Sequence, residues 1–207
     1  MKLRVLTILG ALSLAGSVSA TPINVAAGQN VILNGTYGVL TNMCCGWNPA
    51  APLAAGSTLV DEILKAPASV WNDDTVWWDA MAPGSGSNSV EIALGGLHLL
   101  TGFTVQADDN DSYLIEYLDS SNTWIPAWNI PAVGGFGTQT RPNPLDPTDI
   151  FYLGTPVVTN RLRFSATGGD GFYSVSEIKA FTPEPGMTTL LLVGLVGLAS
   201  RRVRGKA

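Results

Sequence analysis

Asp108-Asp109-Asn110-Asp111 places three carboxylates and an amide within four consecutive residues. Oxygen donors at this density suit Ca²⁺, which takes about six to eight hard oxygen ligands in irregular geometry. The spacing is not that of an EF-hand, because neither the required glycine nor the closing glutamate follows. The same run also suits a solvated turn closed by Asx hydrogen bonds, and the sequence leaves both readings open. A second constellation runs from Trp71 to Asp79 and holds three of the six tryptophans. Exposed indoles stack on sugar rings while neighbouring carboxylates accept from hydroxyls. Trp71, Asp73 and Asp74 are therefore candidate ligand-binding residues, with Trp47 a further surface candidate, whereas Trp77 and Trp78 read as strand residues directed at least in part into a core. Arg141, in the polar stretch Gly137 to Asn143, joins the candidates as a loop cation that either meets a ligand carboxylate or pairs with an aspartate.

Residues for catalysis are scarce. His98 is the single histidine, and in Leu97-His98-Leu99 it reads as a strand residue with an ordinary hydrogen-bond partner. A zinc centre needs about three or four His or Cys ligands, and only His98 and the adjacent pair Cys44-Cys45 are present. Neighbouring cysteines close only a strained ring, so intermolecular pairing and free thiols are the alternatives. No basic residue lies nearby in sequence to lower a thiol pKa. A carboxylate-pair hydrolase needs two acids about 5–9.5 Å apart in a cleft, and here the acids gather in turn-like segments. No catalytic residue is assigned.

The chain that must position these groups has 207 residues, 46% hydrophobic and 13% charged. Its first twenty residues read as an export signal: Lys2 and Arg4, an apolar run from Val5, and small residues Val18 and Ala20 at the −3 and −1 positions of a cut before Thr21. At the other end an apolar run from Met187 to Ser200 precedes an Arg-rich terminus. Such a run spans about 21 Å as a helix, against about 30 Å of bilayer hydrocarbon, so it suits transient membrane residence and processing better than a permanent anchor. The cations after it predict that this terminus stays on the cytoplasmic side.

Between the two lie fifteen acidic and five basic residues, a formal charge of −10 over residues 21–182. Nucleic acid is a poor partner for such a domain, and divalent cations and neutral sugars are better ones. Strand patterns recur over Val90–Leu94, Leu99–Ala107, Tyr113–Leu118, Thr123–Trp128, Arg161–Phe164 and Tyr173–Phe181, separated by Gly/Asn/Asp turns. The spacing predicts an all-β sandwich. One short helix is expected over Thr58–Lys65.

Two resemblances follow from these residues. Pro183-Glu184-Pro185, the apolar run and the terminal arginines resemble the PEP-CTERM sorting signal of Gram-negative bacteria. The resemblance implies an exosortase as processing partner, passage through the inner membrane by the C-terminal helix, and release to the cell surface or exopolysaccharide matrix. Leu59-Val60-Asp61, Thr75 to Trp78, Val90 to Gly95, Phe103 to Asp108, Tyr113 to Tyr117, Arg161 to Phe164 and Tyr173 to Ile178 occur in the order of discoidin-like domains, also called coagulation factor 5/8 type C or galactose-binding-like. That family is a jelly-roll β-sandwich whose loops at one end bind glycans, lipids or proteins. It implies a structural calcium held by Asp61 and Glu177, in addition to the Asp108, Asp109 and Asp111 candidates. Glu62 departs from the glycine the family often carries after its aspartate.

The expected protein is an exported surface or matrix component with signal peptide 1–20, a sandwich domain 21–182 and a sorting tail 183–207. Its expected role is non-catalytic recognition of a glycan or exopolysaccharide, and the alternatives are a structural matrix protein without a small ligand or a carboxylate-dependent hydrolase. Mass spectrometry of protein from its native host should find a chain that starts at Thr21 and lacks Arg201 to Lys206. An intact C-terminus on surface material contradicts the sorting reading.

Overall fold

A computed structural model describes residues 21–41 and 51–183. The signal segment, Cys44, Cys45, Trp47, Glu184, Pro185 and the apolar tail lie outside the described residues. Ile23–Thr182 forms one compact unit.

The described residues build nine strands: β1 (Ile23–Asn24), β2 (Asn30–Asn34), β3 (Val76–Asp79), β4 (Ser89–Asp108), β5 (Ser112–Leu118), β6 (Trp124–Ile130), β7 (Thr138–Arg141), β8 (Phe151–Gly168) and β9 (Phe172–Thr182). All the pairings between them are antiparallel. The first part of β4 pairs with β2 and with the second part of β8, which continues to β5 and β6. The last part of β4 pairs instead with β9 and β7, and β9 carries β3 and β1. The two long strands β4 and β8 thus belong to both layers of a sandwich. Their mutual register breaks between Ala93 and His98 and between Leu100 and Gly102, where the ribbon passes from one layer to the other. Gly95 supplies φ +73 inside this passage. His98 lies in the same stretch, where its Nε2 donates to the Leu94 carbonyl at 3.1 Å.

Period-two alternation places the core. Val90, Ile92 and Leu94 are buried on alternate positions of β4, and they meet Phe103, Val105, Val175, Ile178, Leu162 and Phe164 in one cluster. Near its end β4 is buried on both faces, because loops cover the polar side as well. Gln106 Oε1 accepts from the Lys65 amide at 2.7 Å and its Nε2 donates to the Lys65 carbonyl at 2.9 Å. Thr104 Oγ1 donates to the Asp149 carbonyl at 2.8 Å. These side chains do for the loops what ladder bonds do for strands.

The all-β sandwich expectation agrees with this architecture, with three local differences. The helix expected over Thr58–Lys65 is a 3₁₀ segment over Gly56–Val60. Asp61 Oδ1 accepts from the Ile63 amide at 2.9 Å and Glu62 turns to φ +67, which ends the helical path. The two strands expected at Val90–Leu94 and Leu99–Ala107 are one bent strand. Thr138–Arg141, expected as a loop, is strand β7, buried on β4.

Phe103, fully buried at the centre of the cluster, should cost about 3–5 kcal/mol of unfolding free energy when replaced by alanine. Leu145, 94% exposed, should cost under about 0.5 kcal/mol on the same replacement. Urea unfolding midpoints of the two variants measure the difference.

Candidate functional site

Four connections converge at one end of the sandwich: the turn between β4 and β5, the turn between β8 and β9, the link from β6 to β7, and the segment around Ser69–Trp71. Hydrogen bonds tie them together. The Asp170 amide donates to Asp111 Oδ1 at 3.3 Å, and Asn110 Nδ2 donates to Asp170 Oδ2 at 2.9 Å. The Val133 amide donates to the Asp109 carbonyl at 2.9 Å, and the Thr138 amide to the Ser69 carbonyl at 2.9 Å. Two approaches are so close that only glycine fits. A Cβ on Gly169 (φ +146) would stand 1.8 Å or less from its neighbour, at 1.7 Å from Asp111 Oδ1, and one on Gly137 (φ +62) at 1.8 Å from the Ser69 carbonyl.

Arg141 lies beneath this end. Its exposure is 0%. Nη1 donates to the carbonyls of Ala107 at 2.6 Å and Gln139 at 3.1 Å. Nη2 donates to the carbonyls of Asp108, Asp109 and Asp111. The guanidinium therefore grips the β4–β5 turn and its own strand from inside, with its carbon 5.9 Å from the centre of the Tyr113 ring. This corrects the sequence expectation of a loop cation available to a ligand. A Thr-Gln-Thr-Arg strand carries no hydropathy signal, yet Thr138, Thr140 and Arg141 are all buried, with the Arg141 Nη groups bonded to backbone carbonyls and Thr140 Oγ1 accepting from Gln106.

Above Arg141 the loops enclose a cavity of about 190 Å³ lined by Trp71, Asp108, Asp109, Asn110, Phe136, Asp170 and Phe172 and the backbone of Gly135 and Gly137. Trp71 is only 3% exposed, which corrects its expected place on the open surface. It packs edge-on to Trp77 (5.6 Å between ring centres) and beside Phe172 (5.8 Å), so ring-on-ring packing holds it in the cavity wall. Asp73 and Asp74 are exposed and are not among the cavity's lining residues. Asp74 pairs with Lys65 at 3.0 Å. Phe136, Asp170 and Phe172 were not anticipated. The signal for them was the pair of glycine clusters, Gly134-Gly135-Phe136-Gly137 and Gly168-Gly169-Asp170-Gly171, each presenting one or more bulkier groups from a tight turn.

Crowding of carboxyls at this end changes their acidity. Burial, then the Asp109 carboxylate beside it, pushes Asp108 up to about 7. Burial, then Asp108 and Asp170, pushes Asp111 up to about 8, against the opposing hydrogen bond from Tyr113 Oη at 3.2 Å.

The expected calcium ligands divide into two cases. Among the described residues no three His, Cys, Asp or Glu side chains are grouped so as to hold a metal, so an ion at either place would have to draw on backbone carbonyls. At Asp108, Asp109 and Asp111 those carbonyls already accept from Arg141, which leaves the side-chain carboxyls of the three residues as the oxygens an ion would use there. At Glu177 the case differs. Its exposure is 0%, neither carboxyl oxygen makes a well-formed hydrogen bond although the Glu62 backbone amide lies near enough to act on it, and burial, opposed by Lys179, pushes its pKa up to about 8. A buried carboxylate without well-formed hydrogen bonds needs a proton or a cation. Asp61 stands close enough to act on it electrostatically, so this pair suits a hard cation.

A second cavity, about 670 Å³, lies beside the β5–β6 turn and is lined by apolar residues such as Leu97, Leu118 and Val158 together with polar ones, Ser120, Asn122 and Asn160 among them. Its one carboxylate, Asp119, is taken up by the amides of Ser121 and Thr123, both at 2.8 Å.

No protein-family profile matches the chain, and neither does any curated protein. Among solved structures the chain is similar to a mutant of the lectin binding domain of Lectinolysin complexed with Lewis b, at 8% identity and a TM-score of 0.50, over 79% of this chain and 98% of that one. It is also similar to the family 32 carbohydrate-binding module from Streptococcus pneumoniae EndoD, at 12% identity and a TM-score of 0.49, over 77% and 99% of the two chains. A third is the family 32 module from C. perfringens NanJ in complex with galactose, at 13% identity and a TM-score of 0.45, over 78% and 98%. The likeness to the Lectinolysin domain shows a shared β-sandwich fold.

Because Asp108, Asp111 and Glu177 all have folded-state pKa values above their ordinary ones, the folded chain holds protons that the unfolded chain releases. Stability should therefore fall as pH rises from about 4 to about 8 and level off above. Urea midpoints across this range in chelator measure it, and stability rising with pH contradicts the buried state of these carboxyls.

Proposed function

We propose that the chain is a non-catalytic carbohydrate-binding module. The observation that carries this reading is the loop-end cavity, where Trp71, Phe136 and Phe172 meet Asp108, Asp109, Asn110 and Asp170. A sugar presents apolar C–H faces and a ring of hydroxyls, and a small cavity with aromatic walls and several acceptors matches both. The cavity's size suits about one monosaccharide unit of a longer chain. Trp71 contributes its ring as wall, whereas Arg141 acts through the turn it holds. Asp73 and Asp74 stand outside the cavity, and Asp74 is paired with Lys65.

The sequence signals extend the proposal. A signal peptide over 1–20 exports the domain of residues 21–182, and the tail from Pro183, with Glu184 and Pro185, directs exosortase processing and delivery to the cell surface or exopolysaccharide matrix. A structural calcium at Glu177 and Asp61, completed by backbone carbonyls, would neutralise the buried carboxylate and link the segment after the 3₁₀ turn to β9.

Intrinsic tryptophan fluorescence of the chain should respond to a binding glycan, since Trp71 lines the cavity. Phe136→Ala, at a 48% exposed position, should weaken binding about tenfold or more with little change in thermal midpoint. Unaltered affinity in that variant removes the cavity from the binding site. For the metal, calcium at 100 times its dissociation constant should stabilise the protein by about 2.7 kcal/mol relative to chelator. Glu177→Gln should abolish that gain, and melting curves that coincide with and without calcium contradict the proposed ion.

A further inference from the structure

The charge of the cavity discriminates among sugars. Asp108, Asp109 and Asp170 present three carboxyl groups to it, and among the described residues none that lines it is Lys, Arg or His. The nearest guanidinium, Arg141, is sealed beneath, with its Nη donors engaged on backbone carbonyls. Two of the three carboxyls have partners from the protein. Asp108 Oδ1 accepts from the Asp109 amide at 3.1 Å, and Asp170 accepts from Asn110 at 2.9 Å and from the Phe172 amide at 2.9 Å. Asp109 does not. It is 7% exposed, lines the cavity, and its carboxyl oxygens accept no hydrogen bond from the described residues.

A carboxylate that faces a cavity with no donor from the described residues takes its hydrogen bonds from solvent or from a ligand that displaces the solvent. The remaining cavity groups favour a positively charged donor over a neutral one. Trp71, Phe136 and Phe172 are aromatic, and ring faces attract cations as well as stacking on pyranose rings. Anionic sugars meet the opposite situation, since a uronate would enter beside three acids with no accessible counter-charge.

We propose that the cavity takes a hexosamine unit whose amine is free and protonated, with its ammonium group against Asp109 and its ring among the aromatics. This rests on the reading of the cavity as a sugar site and assigns the chemical class within it. N-acetylation would remove the charge and add bulk in a space of about 190 Å³, so the acetylated unit is disfavoured on both counts. The chemistry is that of a polyamine polysaccharide with exposed amino groups.

The test is isothermal titration of the full chain at pH 7 with glucosamine, galactosamine, their N-acetyl counterparts, galactose, glucuronate and cyclohexylamine. At least one free-amine sugar should bind about tenfold or more tightly than its acetylated form and than galactose, with glucuronate weakest. That preference should shrink as sodium chloride is raised to 0.5 M (roughly the range in which screening acts over a few ångströms). Asp109→Asn should bring the ratio of free to acetylated affinity close to one. Should that variant unfold, Asp170→Asn should reduce the same ratio in part. Equal or tighter binding of acetylated or neutral sugars overturns the proposal and leaves the sugar site standing. Cyclohexylamine binding as tightly as the amino sugars overturns it by removing the role of the hydroxyls. No binding of any sugar overturns both the proposal and the reading beneath it.

Discussion

One buried guanidinium holds the loop end of this sandwich in place. The turn from β4 to β5 reverses direction over Asp109, Asn110 and Asp111, and its carbonyls point inward, with that of Asp109 also accepting from the Val133 amide. Arg141 meets the carbonyls of Ala107, Asp108, Asp109 and Asp111 from below. Lysine could not do this, since an ammonium is a compact point charge while the guanidinium is a planar fork of donors. Removing the side chain would leave several acceptors unsatisfied in a buried place, each costing about 1–3 kcal/mol. The floor of the cavity, the position of Asp109 and the approach of the Gly169 turn to Asp111 all follow from that grip.

The same arrangement explains an excess of acid that would otherwise repel itself. Fifteen carboxylates against five cations leave the domain residues strongly negative, and two places concentrate the imbalance. Glu177 is enclosed between β4 and its covering segment, with Lys179 the first charge to oppose its burial. Asp109 opens onto the cavity. An enclosed carboxylate calls for a small ion or a proton, whereas one that faces a cavity can meet a ligand's donor, and the two lie close together, since Glu177 pairs with Gln106 two residues before Asp108 on β4.

Much of the sandwich was legible because period-two alternation is a direct projection of burial. Val90, Ile92 and Leu94, then Phe103, Val105 and Ala107, announce core-facing positions without reference to anything distant. The acidic turn was also visible in Asp108 to Asp111. What the pattern hid was burial achieved by hydrogen bonding. Arg141 looked like a surface cation because guanidinium groups usually are, and only the convergence of five carbonyls from two segments makes its interior place favourable. Trp71 looked exposed because its neighbours Asp73 and Asp74 are, although its own ring is held by Trp77 and Phe172. The bend joining the two halves of β4 escaped as well, since register shifts are set by the partner strand β8 and leave little mark on hydropathy.

Chemical-shift mapping on isotope-labelled protein tests the central claim most directly, because it locates a bound glycan without presuming which residues touch it. Titration with an oligosaccharide that binds should move the backbone amide signals of Asp109, Asn110, Gly135, Phe136, Asp170 and Phe172 and the indole signal of Trp71. The signals around Leu97, Leu118 and Val158, at the other cavity, should stay in place. Shifts confined to that second cavity, or spread along the sheet faces and absent from the loop end, would contradict the account.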